Sequence, residues 1–119
     1  MKSETWKKRI TDATIQAGTY RPYFDQVIAT LASILEKRDD AEKEYKRQGG
    51  KPIVEHTNNG GTTNMVKNPA LTLMNELNQT ALTYWRDLGL TPAGLKKLKD
   101  DALKENKSDF GSILRSIGG

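Results

Sequence analysis

Apolar residues recur along most of this chain at the three- and four-residue spacing of one helix face, and the recurrence breaks where glycine or proline intervenes. Trp6, Ile10, Ala13 and Ala17 form the first such stripe, with Ser3 placed to cap its start and Gly18 to stop it. Thr19 and Pro22 restart the chain, and nothing from Tyr23 to Gln48 breaks a helix. Its first half carries the densest stripe, Phe24, Val27, Ile28, Leu31, Ile34 and Leu35, which Arg38, Ala41 and Tyr45 continue more weakly. Such a helix would be roughly 40 Å long, more than a small monomeric core requires. The second half, EKRDDAEKEYKR, alternates in sign and predicts a solvated face laced by Asp39 with Lys43 and Glu42 with Lys46. Asp39 and Asp40 are expected to splay into water, so they are not read as an acid–base pair.

Helical period gives way to strand character after Gly49-Gly50. Ile53, Val54 and Thr57 predict one strand, Asn58-Asn59-Gly60-Gly61 a turn, and Thr62, Thr63, Met65 and Val66 a returning strand. An isolated hairpin is marginal in water, so this one should pack on the helices or pair with a neighbouring subunit. Asn68-Pro69 then starts a helix with Met74, Leu77, Ala81, Tyr84 and Leu88 on one face and Leu71, Leu82 and Trp85 widening it. Gly89 ends it. Thr91-Pro92 opens a further helix that turns Leu95 and Leu98 inward and Lys96, Lys97 and Lys99 outward. After Leu103 the chain is polar until Ser108, which can cap a short amphipathic helix bearing Phe110, Ile113, Leu114 and Ile117.

The fold expected is mainly α: long antiparallel helices with a small β-hairpin insertion and a short C-terminal helix. Of the 119 residues 35% are hydrophobic and 29% charged, an apolar share that suits helices completing their core against other chains. The net charge of +4 favours a polyanionic partner only mildly, since 15 acidic residues oppose 19 basic ones. With no cysteine and a single histidine, His56, no metal site can be assembled, and the glycines lack the spacing of a phosphate-cradling loop. No nucleophile–base pair emerges either, so an enzyme is not expected, and no cofactor. No stretch approaches the roughly 20 apolar residues of a membrane helix.

The strings NPAL and RDLGLTPAGLKKL, preceded by YFDQVIATLASILEKRDDAEKEY and the glycine-rich NNGGTTNMVKNP, resemble the small subunit of phage terminase over roughly residues 4 to 100. The resemblance implies a non-enzymatic homo-oligomer, a ring, that binds viral double-stranded DNA in the host bacterial cytoplasm. It would pass that DNA to the large terminase subunit, which holds the ATPase and nuclease. Residues 1–104 would then form the oligomerisation and DNA-binding domain, with 49–67 as the hairpin, and 105–119 a linker and partner-docking helix. Phe110, Ile113, Leu114 and Ile117 are the expected contacts to the large subunit. A helical protein–protein adaptor without direct DNA binding is the rival reading.

For DNA contact the candidates are Lys96, Lys97 and Lys99, then Lys7, Lys8 and Arg9. The exposed positions of the lysine helix offer no Asn, Gln or Arg, so phosphate contact is expected in place of base readout. Leu88, Leu90, Leu95 and Leu98 fit the apolar sites of a DNA-reading helix-turn-helix, as does Tyr84. Trp85 does not, because that pattern places a small residue four before the turn glycine, where the helices touch; a helical hairpin with a basic second arm is the preferred reading.

Overall fold

The computed structural model describes residues 1–104. Three helices, α1 (Ser3–Ala17), α2 (Asp25–Arg47) and α3 (Pro69–Asp87), make the body, and a short 3-10 turn at Pro22–Phe24 leads into α2. A two-stranded antiparallel hairpin, β1 (Ile53–Thr57) and β2 (Thr63–Lys67), is inserted between α2 and α3. Beyond α3 the chain is helical again over residues 92–104, here called α4. The mainly α expectation with a hairpin insertion therefore holds; the C-terminal helix expected from Ser108 onward lies outside the described residues.

The centre is α2. It packs against both α1 and α3, and its first half supplies Ile28, Leu31, Ala32 and Leu35, all buried. Ile10 of α1, Ala81 of α3 and Leu88 complete this core, with Trp6, Tyr84 and Trp85 partly buried around it. One position departs from the predicted stripe. Leu82 is 59% exposed, because the inward arc of α3 is centred on Ala81, Trp85 and Leu88 and leaves it on the flank, about 100° from Ala81. Thr14, by contrast, is fully buried, its hydroxyl donating to the Thr11 carbonyl at 2.8 Å. A helical threonine can satisfy its hydroxyl within its own turn and so occupy a core position.

The helix starts separate two mechanisms. Ser3 does not cap α1: the N-cap is Lys2, without a side-chain bond, and the Ser3 amide donates to the Glu36 carboxylate on α2. A free first-turn amide is thus satisfied across the helix pair. Asn68 does cap α3, its Oδ1 accepting from the Ala70 amide at 3.0 Å, with Pro69 at the first helical position. At α4 the Thr91 hydroxyl accepts from the Gly94 amide at 3.1 Å.

The second half of α2 is more structured than its alternating charges predict. Glu42 and Lys46 pair at 3.2 Å as expected, but Asp39 turns towards α1 and does not pair with Lys43. Its side chain is only 14% exposed and accepts from the Trp6 indole at 2.7 Å, the Met1 ammonium at 3.2 Å and Arg38 Nε at 3.0 Å. Burial by itself pushes this carboxyl up. The indole, the ammonium and the guanidinium together outweigh burial and hold it below the ordinary value of 3.8. Arg38 lies 5.7 Å over the Trp6 ring and also reaches Asn78 of α3 at 3.2 Å, so one polar node ties all three helices. Periodicity does not reveal it, since it depends on which arc of α2 faces α1.

The hairpin pairs Val54 with Val66 and Thr57 with Thr63. Asn58 organises its turn, accepting from the Gly60 amide at 2.9 Å and the Thr62 amide at 3.0 Å. Only Val54 and Val66 are half-buried, while Ile53 and Met65 stand exposed on the other face. The hairpin is joined to the body at its root, where the Asn68 amide donates to the Pro52 carbonyl at 2.8 Å. His56 is exposed opposite Asn64 in the register. Among the described residues no group of His, Cys, Asp and Glu side chains could hold a metal ion.

Candidate nucleic-acid interface

The α3–α4 junction is set by two glycines of different kinds. Gly89 has φ 73°, the left-handed conformation that ends α3, and the Leu90 amide returns to the Trp85 carbonyl at 2.8 Å. Gly94 answers a packing demand: a Cβ there would lie 2.1 Å from the Arg86 carbonyl oxygen. The helices therefore meet at Gly94 on α4. The small residue that a close crossing needs is present, but on the second helix, and Trp85 packs into the core without holding α4 away.

Lys96, Lys97 and Lys99 are all exposed on α4, as predicted, while Leu95 and Leu98 are half-buried. At about 100° per residue, Lys96 and Lys99 fall on one side of the helix and Lys97 on another. Lys97 lines a groove of about 570 Å³ between α3 and α4, together with Arg86, Asp87 and Asp101. Two carboxylates flank it there. Lys96 and Lys99 join none of the described ion pairs, although the exposed Asp100 follows Lys96 by four residues on the same side of the helix.

Lys7, Lys8 and Arg9 are exposed on α1, and the Arg9 guanidinium rests 6.0 Å from the Trp6 ring centroid. They belong to a different element from the α4 lysines, so the six candidates form two basic groups. At the end of the body where α4 begins, the turn after α1 comes in close: the Thr19 hydroxyl donates to the Leu88 carbonyl at 2.8 Å. The expected partner contacts Phe110, Ile113, Leu114 and Ile117 lie outside the described residues.

No helix among the described residues is long and apolar enough to cross a membrane. The comparison with protein families gives a match to the family described as phage terminase, small subunit, over residues 3–105. The chain belongs to that family. Terminase small subunits are non-catalytic. The comparison with curated proteins returns no match, and neither does the comparison with solved structures. The small-subunit match takes in every described helix and the hairpin, and stops near the end of the described part of α4.

Proposed function

We propose that this small subunit binds viral double-stranded DNA through phosphate contacts and delivers it to the large terminase subunit for genome cleavage and packaging. The observation that carries the reading is a terminase small-subunit chain whose α4 projects Lys96 and Lys99 from one exposed side, unpaired among the described residues. Lys97, Lys7, Lys8 and Arg9 supplement them. Copies of the chain assemble as a ring in the host bacterial cytoplasm, and the ring multiplies weak contacts into avid binding. The half-free hairpin, with Ile53 and Met65 exposed, supports a role at the subunit contact.

Reversing Lys96, Lys97 and Lys99 to glutamate should weaken DNA binding and reduce the slope of log affinity against log salt by roughly two to three, about one for each phosphate no longer neutralised. Salt titration of a DNA duplex reads this directly; unchanged affinity and slope would remove these lysines from the contact, and parent affinity that does not fall with salt would favour the adaptor reading.

The C-terminal segment, residues 108–119, is the proposed dock for the large subunit through Phe110, Ile113, Leu114 and Ile117. Deleting it should abolish capture of the large subunit while leaving the mass measured by light scattering at that of the intact oligomer. A deleted chain that still captures the large subunit, or that no longer folds, would remove the assignment.

A further inference from the structure

The turn between α1 and α2 is built into the same end of the molecule as the lysine helix. Thr19 is buried, and its hydroxyl bonds the Leu88 carbonyl at 2.8 Å. A Cβ on Gly89 would lie 2.7 Å from both Thr19 Cγ2 and Leu98 Cδ1, so the turn, the α3–α4 junction and α4 meet at one point. Leu98 sits between Lys97 and Lys99 in sequence, and Arg21 follows Thr19 by two residues. The α1–α2 turn is therefore fixed beside the first turns of α4.

Two side chains of that turn have no structural employment that explains them. Tyr23 is 74% exposed, and its ring is steadied edge-on against Phe24 at a centroid distance of 4.9 Å, while Phe24 packs on the core. Arg21 is exposed, with Nη1 donating to the Tyr20 carbonyl at 2.6 Å, and it joins no ion pair among the described residues. The nearest carboxylate in sequence, Asp25, instead accepts from the Tyr20 hydroxyl at 3.0 Å. An arginine anchored at one nitrogen keeps further N–H donors for an oxyanion, and a held tyrosine ring offers a flat apolar surface with a hydroxyl at its tip.

We infer that Arg21 and Tyr23 form a second contact to the DNA backbone beside α4, Arg21 on a phosphate and Tyr23 on an adjoining sugar-phosphate unit. The inference rests on the reading of α4 as a DNA-facing helix. Bases of a duplex are stacked and closed to an aromatic ring, so Tyr23 meets deoxyribose through its ring and a phosphate oxygen through its hydroxyl. Both contacts are independent of sequence and set the register in which the lysine helix lies on the duplex.

The test is salt titration of binding to a mixed-sequence DNA duplex by the full chain. Arg21→Ala should weaken binding and lower the salt slope by about one, and Arg21→Lys should restore that slope. Tyr23→Phe, which keeps the ring against Phe24, should weaken binding several-fold with the slope unchanged. Thermal melting of each variant should match the parent, since both side chains are exposed. If Arg21→Ala leaves affinity and slope intact while reversal of Lys96, Lys97 and Lys99 changes both, the turn contact is overturned and the α4 reading stands. If Arg21→Ala flattens the slope and the lysine reversal does not, the turn contact stands and the α4 assignment falls. Binding by the parent chain that ignores salt would overturn both.

Discussion

Gly94→Ala is expected to destabilise the α3–α4 contact by roughly 1–3 kcal/mol, the range for overpacking a close contact. Two effects oppose each other at this site. Alanine is the better helix former by about 0.8–1 kcal/mol, which would stabilise α4 in isolation. Against this, its Cβ would lie 2.1 Å from the Arg86 carbonyl oxygen, and that atom belongs to the backbone of α3 and cannot swing aside. The steric term should win. The first turns of α4 must then move away from α3, which shifts Lys96 and Lys99 relative to the body and should weaken DNA binding as well. Urea denaturation reads the stability, and amide exchange over residues 92–104 reads where the destabilisation falls. A variant as stable as the parent, or more so, would show that propensity prevails and that α4 does not press on Arg86.

Asn68→Ala is expected to cost roughly 2–4 kcal/mol, combining removal of a helix cap with a buried polar group left without its partner. Asn68 is wholly buried where α2, the hairpin and α3 come together. Its Oδ1 caps α3, and its Nδ2 donates to the Gln48 side chain at 2.8 Å and the Lys51 carbonyl at 2.9 Å. Alanine removes all three bonds. Asn68→Ser retains an acceptor for the Ala70 amide but cannot reach both other partners, so its stability should fall between alanine and the parent. Equal melting temperatures for the serine and alanine variants would mean that the cap contributes little and that the bonds to Gln48 and Lys51 carry the effect. If neither substitution shifts the denaturation midpoint, the junction is not held by Asn68.

These two residues also divide what local pattern reveals from what it cannot. Asn68-Pro69 announces a helix start because both the cap and the proline act within one turn of their own position. The same locality makes Gly18 and Gly89 readable as helix stops; each takes a positive φ, 76° and 73°. The hairpin is legible for a related reason, since β-branched runs flanking Asn-Asn-Gly-Gly specify strand and turn together. Nothing local distinguishes Gly94 from a poorly chosen helix residue. Its meaning lies in the Arg86 carbonyl, which reaches it only once Gly89 has turned the chain back.

By itself, then, the sequence determined the order and limits of α1, α2, the hairpin and α3, the inward stripe of α2, the exposure of Lys96, Lys97 and Lys99, and through its motifs the resemblance to terminase small subunits. Periodicity and capping are properties of neighbours along the chain, and those neighbours are written consecutively. The tertiary structure decided which arc of each helix faces another. It turned Leu82 out, drew Asp39 from its expected place in solvent into a node with Trp6 and Arg38, and satisfied the Ser3 amide with Glu36. It also brought Thr19 against Leu88, setting the α1–α2 turn beside the lysine helix. Those outcomes depend on rotation and contact between segments distant in sequence, quantities that a spacing of three and four leaves undefined.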